Sequence, residues 1–455
     1  MRTNQRHARW RLGAVAISLA IALAACTGGD GGESSAPEGS DGEGGGGDGG
    51  GTDEPVVMVS SQLVPTEEQE IMNNEILANF EGEVEFVGLD AGPFNDQIRA
   101  QHESGEGEIS VIGGLSGEFE AFGTELLMDL SDVAADLADL GINEDFLELG
   151  KLGTDTQYWI PWMQATYIMV ARNEALEYLP DGADINALSW EQITEWGANI
   201  EAETGERRLG FPAGEDGLWH RFFQGYAYPS FTGGVNTTFT SDAAVEMWDW
   251  LAETWPYVNP QSTTYGFMQE PLQAGEVWVA WDHVVRLIDA LESDPDGFTA
   301  FPAPAGPSGR AFMPVIAGLA VPATSANPDG AKDLIRYLLS AETQATTLSA
   351  VSFFPVIAAE LEGELSPGLQ AEADAVLAMQ TADDALPALL PTGLGEEGGA
   401  YNQVFRDAFQ RIVGGGEDPA TVLGELLPNL EAVFEASGAA CWPPDPASDG
   451  PFQPQ

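Results

Sequence analysis

Val56-Val57-Met58-Val59-Ser60, followed by Pro65-Thr66-Glu67-Glu68-Gln69, is the stretch that sets the fold. The first segment is a short, continuous run of β-branched and apolar residues bounded by turn residues, the pattern of a buried strand. The second opens a helix with a capping-box pattern, and Met72, Ile76 and Phe80 then recur at four-residue spacing on one face. The same alternation continues outward along the chain. Val84 to Leu89 and Ile109 to Ile112 read as further short strands. Ser189-Trp190-Glu191-Gln192 starts another helix, with Ile193, Trp196 and Ile200 on one side, and Ala244, Trp248, Leu251 and Trp255 mark a third. Asn327-Pro328 caps a fourth, whose Ala331, Leu334, Ile335 and Leu338 fall at i, i+3, i+4 and i+7. Strands alternating with amphipathic helices predict an α/β protein with largely parallel sheets. No internal repeat interrupts the pattern.

The segment ahead of this body has a different character. Arg2, Arg6, Arg9 and Arg11 precede an uncharged run from Leu12 to Ala25 that ends in Leu23-Ala24-Ala25-Cys26. A basic start, an apolar core and small residues before a cleavage point predict a secretory signal over residues 1–25. As a helix this run rises roughly 21 Å, too little for a hydrocarbon core of about 30 Å. Leu-Ala-Ala-Cys resembles the lipobox of bacterial lipoproteins, which implies a diacylglyceryl group on Cys26 and cleavage before it. Residues 27–54 hold 13 Gly and eight Asp or Glu and lack any large apolar side chain. Such a composition predicts a disordered tether over residues 26–54, about 30 Å in root-mean-square span.

The remaining chain of about 400 residues is long enough for two domains. The whole sequence carries 73 acidic residues against 16 basic ones, a net charge of −57. That balance repels phosphate backbones and excludes nucleic acid as a partner. Its carboxylates are spread along the whole chain, as on a solvated surface that keeps an exported protein in solution. Besides Cys26 there is only Cys441, in a Pro-rich tail, so the body has no internal disulfide to form and no cysteine pair for a metal. His102, His220 and His283 are scattered, without ligand spacing. No metal or cofactor is expected.

Several segments, in order, resemble the extracellular solute-binding proteins of ABC importers, in the family typified by maltose-binding protein. Tyr158-Trp159-Ile160-Pro161-Trp162, followed by Tyr167-Ile168-Met169-Val170-Ala171-Arg172-Asn173-Glu174, resembles that family's first interdomain crossing. Leu188-Ser189-Trp190-Glu191-Gln192-Ile193 is similar to its Thr-Trp-Asp-Glu-Leu helix start, and Gln273-Ala274-Gly275-Glu276-Val277-Trp278-Val279-Ala280-Trp281-Asp282 to the strand that leads into a ligand loop. Phe301-Pro302-Ala303-Pro304, Gly318-Leu319-Ala320-Val321, Ser325-Ala326-Asn327-Pro328 and Ser340-Ala341-Glu342-Thr343-Gln344 complete the run. The resemblance spans about residues 55–435. It implies a two-lobed periplasmic-binding-protein-like α/β fold with a hinge and an interlobe ligand cleft. By that pattern one lobe comprises 55–163 plus 316–360 and the other 164–315 plus 361–455. The implied role is capture of a sugar or oligosaccharide by hinge closure and delivery to a membrane permease. The expected protein is a monomer without enzymatic activity, held by Cys26 on the outer face of the cytoplasmic membrane.

Sugar rings stack their C–H faces on aromatic planes and need polar partners for their hydroxyls. Trp281-Asp282-His283 combines a plane with two polar groups at a strand end and is the first candidate, with Arg286 as a supporting cation. Trp219-His220-Arg221, after the Gly214 to Gly217 loop, contributes Trp219 and Arg221 as the second. Trp159 and Trp162 flank the crossing, and Tyr401 opens a helix near which the family also places contacts. The first lobe offers Ser61 and Gln62 after the first strand, and Gly114 and Ser116 after Ile112. Each aromatic also has core packing as an alternative fate, and Trp248, Trp250 and Trp255 are read as core. Where maltose-binding protein has an aromatic and charged pair in its first lobe, this chain has Gly113-Gly114-Leu115-Ser116.

Three other functions compete. A polyamine or other small polar solute would suit the acidic surface, through converging carboxylates around an aromatic box. A secreted glycoside hydrolase would also combine cleft tryptophans with carboxylates, although no segment resembles a hydrolase motif. Gly114-Leu115-Ser116-Gly117-Glu118 misses the nucleophile elbow at its fifth position, which argues against a serine hydrolase.

Overall fold

The computed structural model describes residues 55–105, 107–358, 365–446, 448 and 452–454. The expected signal, Cys26 and the Gly-rich tether lie outside them. Among the described residues no helix is long and apolar enough to cross a membrane.

Strand Val56–Ser60 forms as expected and lies inside a six-stranded sheet. In spatial order the sheet runs Phe354–Pro355, Trp159–Ala165, Val315–Ala320, Val111–Leu115, Val56–Ser60, Val84–Gly88. The period-2 geometry of its strands sorts their side chains into two cores. Met58, Val111, Ile160 and Leu319 face one core, with Met72 and the helix residues Ala331, Leu334, Ile335 and Leu338. Val59, Ile112, Trp159 and Ala320 face the other, with Phe94, Ile98, Phe119 and Phe122. Helix Pro328–Leu338 begins as its sequence predicts, Asn327 Oδ1 accepting the Gly330 N–H at 3.1 Å. Its four apolar residues are wholly buried, worth about 1.5–3 kcal/mol for each large one.

A second sheet holds Leu209–Gly210, Val279–His283, Tyr167–Arg172 and Phe298–Phe301 in that order. The expectation of largely parallel sheets is corrected here. Tyr167–Arg172 is antiparallel to both neighbours, and in the first sheet Val315–Ala320 is antiparallel to both of its own. The cause is connectivity: a strand that re-enters a sheet from another lobe, without a crossover helix of its own, arrives pointing the other way. Helix Trp190–Thr204 covers the second sheet and carries the full capping box, Ser189 Oγ accepting from Gln192 N and Gln192 Oε1 from Ser189 N. The first helix, Thr66–Ile71, does not form its box. Gln69 instead binds Val64 O at 2.6 Å and Gly88 N at 3.2 Å, tying two strand ends together.

Only Thr166 separates Trp159–Ala165 in the first sheet from Tyr167–Arg172 in the second. Its Oγ1 donates to Met313 O at 3.0 Å, just ahead of the strand Val315–Ala320 by which the chain returns. The two crossing segments are thereby stitched side by side. Around the second sheet lies a large aromatic core, which extends to the C-terminal helices Gly398–Phe409 and Pro419–Ser437. Trp248 and Trp250 belong to it as read from the sequence, and Trp255 packs against it.

Candidate functional site

A cleft of about 500 Å3 opens between the helix Ser116–Phe122, which belongs to the first sheet's core, and the segment Leu390–Asn402, which belongs to the second's. Its first-lobe wall is Asn95, Asp96, Arg99, Leu115, Gly117, Glu118 and Ala121. Its second-lobe wall includes Arg221, Pro391, Gly393, Glu396 and Asn402. A neighbouring cavity of about 910 Å3 is lined by Glu120, Asn143, Phe146, Glu148, Leu149, Phe312, Gln380, Pro387 and Leu389 among others. The smaller cleft brings Asn95, Asp96, Arg99, Glu118, Arg221, Glu396 and Asn402 into one wall set, the donors and acceptors that a hydroxyl-rich solute requires.

Glu118 organises the first-lobe wall. One of its carboxylate oxygens accepts Ser61 Oγ at 2.5 Å and the Leu115 N–H at 2.7 Å, joining the loop after the first strand to the start of the helix. Burial holds its carboxyl above the usual range against those two hydrogen bonds. Gln62 Nε2 donates to Ser61 Oγ at 3.1 Å, and its N–H to Ser60 Oγ at 3.0 Å. Ser61 and Gln62 are thus brought beside a lining residue. Ser116 is buried at the helix start, and Gly114 is buried so close to Glu118 that a Cβ would stand 3.0 Å from its Oε2.

In the second lobe Arg221 comes from the short helix Trp219–Phe222. Its Nη1 donates to Gln224 Oε1 at 2.9 Å, and Gln224 Nε2 donates to Asn402 Oδ1 at 2.9 Å. The buried Gln224 therefore positions two cleft residues at once. Behind them Arg406 donates to Gly217 O at 2.8 Å and to His220 Nδ1 at 3.1 Å. Burial, reinforced by Arg221, Arg406 and Arg286, pushes His220 down to about 2, so it is neutral.

The tryptophans expected to stack on a sugar do not line this cleft. Trp281 lies fully buried against Tyr167, ring centroids 4.8 Å apart and 4° from parallel, with Phe222 and Tyr226 edge-on. Trp219 stacks on Phe222 at 4.3 Å, Trp159 stacks on Phe119 at 5.2 Å, and Trp162 is buried in the first lobe. Large aromatic area buried in a core outweighs display in a polar cleft. Asp282 is wholly buried, its oxygens taken by Met268 N at 3.0 Å and His283 N at 2.8 Å. Burial pushes its carboxyl up to about 7, against Arg286 and those two N–H groups. His283 is turned inward, Nδ1 accepting from Val285 N at 3.3 Å, and burial takes it down to about 3. Tyr401 is buried, its hydroxyl donating to Asn236 Oδ1 at 2.8 Å. Of the second-lobe candidates only Arg221 lines the cleft. Glu118, Asn402, Arg99 and the 390–396 segment went unread, although Pro391-Thr392-Gly393-Leu394-Gly395 carries the turn residues of a loop.

The family model for bacterial extracellular solute-binding proteins matches residues 65–345. The chain belongs to this family. No curated protein matches it significantly in sequence. Solved structures similar to this solute-binding protein share its fold at low identity. The maltose-bound MalE3 of T. maritima is 17% identical with a TM-score of 0.65, covering 83% of this chain and 99% of its own. The GacH receptor of Streptomyces glaucescens, solved unliganded and with acarbose, is 18% identical with a TM-score of 0.61, covering 84% and 98%. UgpB of Mycobacterium tuberculosis, solved with glycerophosphocholine, is 17% identical with a TM-score of 0.64, covering 84% and 99%. The two-lobed fold implied by the sequence is therefore present, and the family is one of binding proteins rather than enzymes.

Proposed function

We propose that this solute-binding protein captures a sugar or short oligosaccharide between its lobes and delivers it to an ABC permease. The observation that carries the reading is the cleft of about 500 Å3 walled by both lobes, with charged and amide side chains from each. A solute touching Glu118 and Gly117 on one side and Arg221 and Asn402 on the other would hold the lobes together, and closure would follow from its differential affinity for the closed form. The maltose and acarbose complexes of the structural neighbours support a carbohydrate. The chain makes and breaks no bond in this role. Cys26, lipidated at the end of its lipobox-like segment, would hold a monomer at the outer face of the membrane, the tether giving the body reach to the permease. Thermal unfolding against a panel of mono- and oligosaccharides tests the proposal. A ligand at 100 times its dissociation constant adds about 2.7 kcal/mol of stability. A saturable rise with recovery of unchanged sugar is the expected result. Stabilisation by polyamines alone, or hydrolysis of any glycan, would overturn it.

A further inference from the structure

The basic residues of this chain are scarce and mostly spent. Among the described residues Lys151, Arg172, Arg207, Arg310, Lys332, Arg336 and Arg411 all stand in ion pairs with Asp or Glu. Arg99, Arg208, Arg221, Arg286 and Arg406 form no ion pair among the described residues, and of these Arg99 and Arg221 line the cleft, on its opposite walls. Arg221 lines it, and its guanidinium is held by the neutral amide oxygen of Gln224. Arg286 donates to Gly266 O at 3.0 Å and Asp216 O at 3.3 Å and lies over the Phe267 ring at 4.2 Å. Arg406 donates to main-chain carbonyls and to neutral His220. None of the three forms an ion pair among the described residues, in a protein with 73 carboxylates.

Two of the three charges meet at His220, since Arg221 is its chain neighbour and Arg406 donates to its Nδ1 at 3.1 Å. A guanidinium withdrawn from bulk water and left without an anion is unfavourable, whereas bidentate pairing with a carboxylate or phosphate suits its planar fork. No carboxylate that lines the cleft, Glu396 on this same wall included, pairs with Arg221 among the described residues. Glu118 is engaged by Ser61 and Leu115 across the cleft, and Asp96 and Glu396 are exposed at its rim.

Resting on the sugar-binding reading, we infer that the solute carries an anionic group, a carboxylate, phosphate or sulfate, which the cleft seats against Arg221. The amide chain Arg221, Gln224, Asn402 fixes the guanidinium toward the cleft, and Arg286 and Arg406 supply the surrounding positive field. The bound anion supplies the missing counter-charge and so selects the acidic over the neutral form of the same sugar.

Calorimetric titration of the full chain with matched pairs tests this: glucose against glucuronate, glucose 6-phosphate and glucose 6-sulfate, and maltotriose against trigalacturonate. The expected result is at least tenfold tighter binding of one anionic member than of its neutral partner, with the three anions distinguishing carboxylate from phosphate from sulfate. Arg221→Gln abolishes that preference and Arg221→Lys retains part of it, with unfolding midpoints of both variants confirming that they fold. Neutral sugars binding as tightly as, or more tightly than, every anionic partner would overturn the anionic inference and leave the sugar reading standing. Binding of neither class would overturn both.

Discussion

Gly117→Ala isolates lobe closure from ligand contact. Gly117 lies in helix Ser116–Phe122, and a Cβ there would stand 2.8 Å from the carbonyl oxygen of Pro391 in the opposite lobe, where ordinary contact begins at 3.4 Å. Nearby, Glu120 and Thr392 are joined by a side-chain hydrogen bond between the lobes. The methyl therefore forces the two walls about half an ångström apart. Overpacking of this kind costs about 1–3 kcal/mol. The unliganded protein relieves it by opening, but the closed, liganded form cannot. The full cost then falls on binding, a loss of about 5- to 150-fold in affinity. Exchanging glycine for alanine in a helix favours the fold by up to about 1 kcal/mol, so the free protein should unfold no earlier than the parent. The assay pairs calorimetric affinity with thermal unfolding of the free protein, and small-angle scattering reads the expected increase in radius. Unchanged affinity would refute the claim that this contact belongs to the closed state. An equal loss of stability in the free protein would show that the walls cannot separate at all.

Three further substitutions address buried residues away from the cleft lining. Asp445 accepts the N–H groups of Val235, Asn236 and Thr237 and the Thr237 hydroxyl, so Asp445→Ala strands buried donors at a cost of about 1–3 kcal/mol each and should lower the urea midpoint sharply. An unchanged midpoint would mean the tail is not docked. Asp282, pushed up from 3.8 to about 7, keeps its proton in the folded state while the unfolded chain loses it, so its contribution to stability falls as pH rises through that window. Asp282→Asn should accordingly lose less stability than the parent between pH 4 and 7; parallel profiles would contradict this. Trp281→Ala should cost about 3–5 kcal/mol of stability while the folded fraction keeps its affinity, since the ring is core. A large affinity loss at full stability would restore it as a contact.

The parts of the fold that were legible in sequence are those decided locally. Ser189 and Asn327 cap helices because a short polar side chain reaches an N–H within the next few residues, and Met58 beside Val59 sorts to opposite faces by pleat alone. Pro65 misled because Gln69 found better partners in Gly88 and Val64, a contact made by distant chain. The site was legible only in part for the same reason. Arg221 was visible beside Trp219, but an indole serves a core and a sugar face with the same surface, so its sequence neighbours cannot say which. Glu118 was hidden among 73 carboxylates, and Asn402 enters the cleft only through Gln224, 178 residues away along the chain.

The strand Val315–Ala320 lies inside the first sheet, between Val111–Leu115 and Trp159–Ala165, yet some 150 residues of the other lobe are made before it. As the chain emerges from synthesis, the first lobe therefore waits with a gap in its middle, and neither half can close its core alone. Such a long-range pairing is slow to form. The order of synthesis thus delays completion of the first lobe until most of the chain has been made, although its first strand is the first to emerge.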